Sequence, residues 1–263
     1  MRLYRILAIL TEEFYITKRS FEVMMDLFFF AFVTVITFGF TTLYFLRESN
    51  QAFAYHLFLG LLLWEIIRVA QYTLSVGVLW EVWSRNLTNI FISPMSAKEY
   101  IAAEMFSGAL KSLVVFITIS LIALMFFGFN VYQVGLINIV LFFINLILFS
   151  WFTGIIILGL IFRYGTRIQA LAWGFVFLFQ PLTAAFFPVK ILPKVLQNIA
   201  YFFPPTYVFE AARASFSNPG IIEWNLIGSA FLENIAYLVF SLLFFNVMFK
   251  KSKETGQFVK NEG

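Results

Sequence analysis

Long apolar runs separated by short polar connections dominate the pattern along the chain. Hydrocarbon about 30 Å thick requires roughly 20 consecutive apolar residues in each spanning helix. The pattern predicts such helices at about 23–46, 53–79, 101–127, 135–162, 168–187 and 226–249. The connections near 128–135 and 163–167 leave no room for a soluble domain. The sequence therefore predicts one all-α integral membrane domain over 1–263, with six transmembrane helices.

Composition agrees with this prediction. Hydrophobic residues make up 61% of the chain and charged residues 12%, whereas soluble domains carry roughly 25% charged residues. The chain contains no Cys, which removes disulfides, zinc thiolates and cysteine nucleophiles from consideration.

Residues that would support an enzyme or a bound cofactor are not recognisable. No G-x-x-x-x-G-K-[ST] sequence is present to hold the phosphates of ATP. The single His56 and the single Asp26 offer neither the paired His nor the clustered carboxylates of metal-dependent membrane enzymes. We expect no catalytic, cofactor or metal site in this chain.

Apolar residues recur at helical spacing before the first predicted span. The apolar residues are Leu3, Leu7, Leu10, Phe14 and Phe21, and basic residues lie between and beside them. This pattern predicts an amphipathic helix over 1–22 that lies in the cytoplasmic interface. An extension of the first span is the alternative.

The distribution of Lys and Arg predicts the orientation, because basic residues in short loops stay on the cytoplasmic side. Twelve lie on one side: Arg2, Arg5, Lys18, Arg19, Arg85, Lys98, Arg163, Arg167, Lys250, Lys251, Lys253 and Lys260. The other side has four: Arg47, Lys190, Lys194 and Arg213. We expect a multi-pass protein of the cell membrane with both termini in the cytoplasm, including the tail 250–263. The net charge of +4 suits contact with lipid headgroups and gives no cause to expect nucleic acid.

The connection between the second and third spans carries a short amphipathic pattern. Trp80, Trp83, Leu87, Ile90 and Phe91 form an apolar stripe that Ser93 and Pro94 end. Ser96 followed by Glu99 has the spacing of a capping box that starts the next helix. The element is either a docking surface or an interfacial anchor, and physical chemistry alone favours the anchor.

Four of the seven prolines lie in 186–213, FFPVKILPKVLQNIAYFFPPTYVFEAAR. Pro193 suits the first position of a short helix, and Pro204 and Pro205 are expected to end it. Thr206 is then expected to cap a second helix that carries Glu210 and Arg213 one turn apart. The segment 186–225 is predicted to dip into the outer leaflet as a re-entrant helix pair, with an external hairpin resting on the membrane as the alternative.

Polar residues within the spans follow stripes that should face protein or water. The stripes are Glu65, Arg68, Tyr72 and Ser75; Glu104, Ser107, Lys111 and Thr118; and Ser229, Glu233 and Tyr237. Glu65 is expected to pair with Arg68 or with Lys111, and Glu104 is expected to be a boundary residue near the cytoplasmic end. Contacts between helices are a more probable role than substrate binding for any one of them.

Two motifs resemble those of the permease subunits of type 2 ATP-binding-cassette exporters, and the similarity covers nearly the whole chain. WSRNLTNIFISPMSAKEY is similar to the coupling helix and following SP turn of that family, although the Gly that usually enters this helix is missing. The segment 186–213 is similar to its extracellular re-entrant pair. The resemblance implies a coupling helix over 80–92, with ATPase contacts at Glu81, Trp83, Arg85, Leu87, Ile90, Phe91 and Pro94. It also implies an extracellular gate at Pro188, Pro193, Pro204, Pro205, Tyr207, Glu210 and Arg213.

The resemblance further implies a function. The chain would dimerise with itself or a related permease and pair with two ATPase subunits, which bind the ATP and Mg. Membrane lipids would surround it, and the cargo would be an amphiphilic, lipid-like, drug or glycan molecule. Two alternatives stay open: an ion-coupled carrier using Glu65, Glu233 and Lys111, and an anchor or assembly subunit without a transport path.

Overall fold

The computed structural model describes residues 2–47 and 51–256, and these residues form helices joined by short turns and loops, without strands. The longer helices are α1 (Leu3–Arg19), α2 (Phe21–Arg47), α3 (Gln51–Trp83), α4 (Leu87–Ile92), α5 (Ala97–Phe127) and α6 (Leu136–Tyr164). They are followed by α7 (Gln169–Gly174), α8 (Phe179–Leu182), α9 (Lys194–Ala200), α10 (Pro204–Ser217) and α11 (Trp224–Glu254). The all-α prediction is confirmed. Part of the predicted tail 250–263 belongs to α11, and 257–263 lies outside the described residues.

The helix α3 forms the centre of the bundle. In it, 78% of the residues in the most apolar stretch are buried, against 22% in α11. It packs against α2, α5 and α6, while α11 packs along α6. A helix that is apolar all round and enclosed by others forms the core of a membrane bundle, and α3 therefore connects the two ends of the molecule.

Ser20 separates α1 from α2. Its backbone is extended, and its side chain accepts a hydrogen bond from the backbone nitrogen of Val23 at 3.3 Å, which caps α2. Within α2, the turn Met25–Phe29 is π-helical. The structure thus gives a separate helix at the predicted 1–22 segment, and its position in the membrane interface stays a prediction.

The predicted fifth span, 168–187, is helical up to Leu182, but it is not one regular α-helix. Gly165, with φ of 65°, ends α6, and the chain continues as short turns: Gly165–Ile168, α7, Phe175–Leu178 and α8. Five helices in the described residues have the length and apolar composition of a span, one of them merging 136–182.

This broken segment nevertheless runs back along α3. The carbonyl of Ala172 accepts a hydrogen bond from Ser75, and the carbonyl of Ala185 lies against Gly60. These two positions on α3 are about 22 Å apart at 1.5 Å per helical residue. That the segment crosses the membrane stays a prediction.

The helix pair before the last helix exists as α9 and α10, but its prolines have other positions than expected. Pro193 is the N-cap of α9, one residue before its first turn. Pro204 and Pro205 begin α10 instead of ending α9, as suits residues that lack a backbone donor. Thr206 is therefore buried inside α10, where its hydroxyl donates to the Ala200 carbonyl at 2.6 Å. The predicted cap at Thr206 is wrong.

Candidate functional site

A cavity of about 380 Å³ lies between α2, α3 and the segment 165–187. We call it the α3 chamber. Its polar lining consists of Asp26, Thr34, Glu65, Arg68, Gln71, Tyr72 and Gln180, and the rest of its wall is apolar or aromatic. Glu65 and Arg68 lie near the middle of α3. A polar site at half the height of the bundle is costly in hydrocarbon and marks a candidate functional site.

Five of the polar side chains in the chamber wall take part in ion pairs or hydrogen bonds: Glu65, Arg68, Tyr72, Asp26 and Gln71. The Arg68 guanidinium lies 2.7 Å from the Glu65 carboxylate, so the predicted pair within α3 is confirmed. The Tyr72 hydroxyl donates to the Asp26 carboxylate. Gln71 donates to the Ala172 carbonyl at 3.2 Å, which fastens α7 to α3. The chamber is therefore a built polar site with partnered groups.

Aromatic rings form the open side of the chamber. Phe30, Trp173 and Phe177 are 54%, 40% and 47% exposed, whereas Trp64 at the back is buried. The Trp173 ring meets the Tyr72 ring edge to face, with centroids 5.5 Å apart. An amphiphilic molecule can enter from this side and meet charged groups deeper inside.

Asp26 is the residue of the chamber that sequence reasoning did not select. It lies in the π-helical turn Met25–Phe29, a feature that is frequent at functional sites. A signal was available: it is the single Asp of the sequence and falls inside a predicted span, where ionisable residues deserve a functional hypothesis by default.

The remaining predicted intramembrane charges lie elsewhere. Lys111 pairs with Glu13 of α1 at 2.5 Å, so its predicted alternative partner Glu65 is wrong. Glu233 lies 3.1 Å from the Tyr207 hydroxyl of α10. Because Glu65, Lys111 and Glu233 have three separate partners, the structure does not bring together the charges that an ion-coupled carrier would use.

Glu104 was expected to be a boundary residue near the cytoplasmic end, and its depth in the membrane stays a prediction. The side chain is buried, with 2% exposure, between α5 and α3. Its Oε2 atom has no hydrogen-bond partner among the described residues. The carboxylate lies next to Gly77 of α3. Packing of α5 against α3 therefore buries a side chain whose burial could not be predicted from its position in the sequence.

The turn after α3 divides the predicted coupling residues into a buried and an exposed set. Leu87 and Ile90 are buried with 0% and 8% exposure, and Phe91 is half-buried against the Tyr100 ring. Glu81 is buried and accepts a hydrogen bond from the Asn86 side chain at 2.7 Å. These four side chains therefore hold α4 against the bundle.

The exposed set forms what we call the α4 surface. It consists of Trp83, Arg85, Asn89, Ile92 and Pro94. Trp83 is 41% exposed and Ile92 78% exposed. Ile92 was not selected from the sequence because it lies off the stripe. A single helix over 80–92 is also wrong, since α3 runs to Trp83 and Arg85 turns the chain with φ of 58° before α4 begins.

The predicted capping box at the start of α5 is confirmed. The Ser96 side chain accepts from the Glu99 backbone nitrogen at 3.3 Å, and the Ser96 backbone nitrogen donates to Glu99 at 3.0 Å. Glu99 also accepts from the backbone nitrogen of Arg2 at 2.7 Å and pairs with Arg5 at 3.2 Å. One carboxylate thus caps α5 and fastens the start of α1.

At the opposite end of α3, an ion pair on α10 bonds to the loop before α9. Glu210 pairs with Arg213 at 2.8 Å, and Glu210 also accepts from the backbone nitrogen of Val189 at 2.9 Å. Arg213 donates to the carbonyl of Ala184 at 3.1 Å. Burial lowers the pKa of the Arg213 guanidinium, and the Glu210 carboxylate counteracts this.

The other predicted gate residues surround this pair. Pro188 precedes the short turn Val189–Ile191. The Tyr207 hydroxyl lies 2.9 Å from the Tyr201 carbonyl. Burial raises the pKa of Tyr207 to about 12, and the Glu233 carboxylate adds to this rise. These contacts give α9 and α10 a fixed position over the end of the bundle.

The long apolar helices of the described residues define a multi-pass helical membrane protein. Residues 4–217 match the family of ABC-2 type transporters, and the chain belongs to that family. It is the transmembrane subunit of an ABC transporter, in which the ATPase is a separate subunit. The match includes α1 to α10, and hence both the chamber and the α4 surface. Among curated proteins, none matches the chain.

Proposed function

We propose that this chain forms the translocation path of an ATP-driven exporter in the cell membrane, with both termini in the cytoplasm. Two permease copies, identical or related, would pair with two ATPase subunits that bind the ATP and Mg. The cargo would be an amphiphilic molecule, in the class of lipids, drugs or glycan carriers. The α3 chamber, a partnered polar site at half the height of the bundle, carries this proposal.

The continuity of α3 supports a mechanical link between the chamber and the ATPase. Glu65 and Trp83 belong to one uninterrupted helix, about 27 Å apart along its axis at 1.5 Å per residue. Buried Leu87 and Ile90 fasten α4 to the bundle. A push on the α4 surface would therefore move α3, and with it the Glu65–Arg68 wall of the chamber.

The opposite end supports the role of a gate. The α9–α10 pair covers that end and is fastened through Glu210, Arg213 and the Ala184 carbonyl. Release of cargo outward would require these contacts to shift. In this mechanism ATP-driven closure moves α4 inward, α3 tilts, and the gate opens on the far side.

The test replaces an exposed residue of the α4 surface. Leu87 is unsuitable because it is fully buried, and a charge there would disturb folding. Ile92→Asp, at a position that is 78% exposed, is expected to reduce cargo-stimulated ATP hydrolysis of the reconstituted complex by about tenfold or more, as truncation or charge reversal does at an interface anchor. Trp83→Ala is expected to act in the same direction.

Ile191→Asp is the matched control, because Ile191 is 61% exposed and lies beyond the opposite end of α3. It should leave ATP hydrolysis unchanged. The proposal is refuted if Ile92→Asp is as active as Ile191→Asp, or if vesicles without ATPase move cargo on a proton gradient alone. The second result would favour the ion-coupled carrier.

A further inference from the structure

The charges of the α3 chamber do not balance. Of its two carboxylates, Glu65 is neutralised by the Arg68 guanidinium at 2.7 Å. The Asp26 carboxylate accepts from the neutral Tyr72 hydroxyl and has no ion pair among the described residues. Arg68 is the one basic side chain in the described lining. The chamber therefore carries one more negative than positive group, and the excess lies at Asp26.

The walls around this carboxylate are suited to an organic cation. The lining includes Phe30, Phe38, Trp64, Trp173, Phe177 and Phe186. The faces of aromatic rings attract cations, with Trp the strongest, and the attraction grows when water is excluded. The Trp173 ring touches Tyr72, the residue that holds Asp26. An aromatic face is thus present beside the unbalanced negative charge.

The backbone supplies an independent observation. Asp26 lies in the π-helical turn Met25–Phe29, whereas the helix is regular on both sides of it. Next to Asp26, Leu27 is directed into the core with 2% exposure. A π-turn is a rare interruption of an α-helix and is frequent at functional sites. Here it accompanies the carboxylate that faces the chamber.

We propose that the α3 chamber binds a hydrophobic monocation, with the positive charge at Asp26 and the apolar body on the aromatic rings. Its volume of about 380 Å³ falls within the roughly 300–1,000 Å³ of small-molecule sites. The inference rests on the proposed function, since it names the class of cargo that the exporter would carry. Neutral and anionic molecules of the same shape would be bound more weakly.

Two ions of matched shape and opposite charge provide the test. Binding of tetraphenylphosphonium and tetraphenylborate to the full-length permease in nanodiscs is measured by equilibrium dialysis, with empty nanodiscs subtracted. The cation is expected to bind saturably and about tenfold or more tighter than the anion. Asp26→Asn should weaken cation binding by a similar factor, as expected for the loss of one close charge partner.

Glu22→Gln is the matched control. Glu22 lies one turn before Asp26 on the same helix, is exposed, and does not line the chamber. The same change of charge there should leave both ions unaffected. Asp26→Glu, which keeps the charge, should restore most of the cation affinity and so separates a charge effect from a folding defect.

The inference is overturned if the two ions bind equally, or if Asp26→Asn binds the cation as wild type does. The proposed function fails separately, by loss of the Ile92→Asp effect on ATP hydrolysis. If the permease binds the cation but Ile92→Asp leaves ATP hydrolysis unchanged, the chamber assignment stands and the coupling proposal fails. If Ile92→Asp reduces ATP hydrolysis but the cation is not preferred, the coupling proposal stands and the chamber assignment fails.

Discussion

Gly60→Ala is expected to loosen the contact between α3 and the loop before α9. A Cβ atom at Gly60 would lie 2.0 Å from the carbonyl oxygen of Ala185 and 3.0 Å from its carbon. Comfortable contact begins near ~3.5 Å, so the carbonyl must retreat by about 1.5 Å. The obstacle is backbone, which cannot rotate away as a flexible side chain would.

Hydrogen bonds hold the loop at the carbonyl groups that the substitution would displace. Arg213 donates to the carbonyls of Ala185 and Ala184 at 3.4 and 3.1 Å, and Ala184 has a left-handed φ of 49°. Overpacking costs about 1–3 kcal/mol, and losing a hydrogen bond to a charged donor costs about 1.5–3 kcal/mol. We expect a loss of about 3 kcal/mol and a Tm lower by about 6–12 °C.

The assay heats the purified permease in detergent and measures the folded fraction by size-exclusion chromatography. Gly228→Ala is the matched control, because a Cβ at Gly228 of α11 meets nothing within 4 Å. Replacing a helical Gly with Ala there should be neutral or stabilising by up to about 1 kcal/mol. The reasoning is refuted if the Tm of Gly60→Ala lies within ~1 °C of that control.

Two further changes address the attachment of α1. Lys111→Met leaves the mostly buried Glu13 carboxylate, 10% exposed, without its ion-pair partner. This change should cost about 3 kcal/mol and speed tryptic cleavage after Lys18 or Arg19. The double variant Glu13→Gln/Lys111→Met should recover most of this loss, and equal stability of the single and double variants would contradict the assignment. Glu99→Ala removes the capping box and the Arg5 pair and should destabilise by about 1–2 kcal/mol. Hydrogen exchange at the start of α5 measures it, and unchanged protection there would argue against the cap.

Interactions between residues close in sequence were predictable. The capping box of Ser96 and Glu99 and the pairs Glu65–Arg68 and Glu210–Arg213 all depend on a spacing of three residues, which brings side chains together on any helix. The spans other than the fifth followed from length and hydropathy for the same reason. Both signals are properties of the sequence that hold whatever the neighbouring helices do.

Interactions between distant helices were not predictable. The segment 165–182 is held by Gln71 and Ser75 of α3, which donate hydrogen bonds to the Ala172 carbonyl. Hydropathy cannot predict such bonds between distant residues. The burial of Leu87 and Glu104 was not predictable because it depends on how α4 and α5 pack. Asp26 was recognisable as an ionisable residue inside a predicted span, but its place beside Tyr72 and Arg68 in one cavity depends on how α2 and α3 pack.

The chamber is bounded on one side by the continuous helix α3 and on the other by a segmented stretch of chain. Along α3 every turn is hydrogen-bonded to the next, so bending it would break several bonds at once. Opposite it, the chain from Gly165 to Leu182 consists of four short pieces that alternate between 3₁₀-helical and α-helical hydrogen bonding. In the proposed exporter, a change in chamber size would therefore be taken up where these pieces meet, and a bulkier cargo would be accommodated without bending α3.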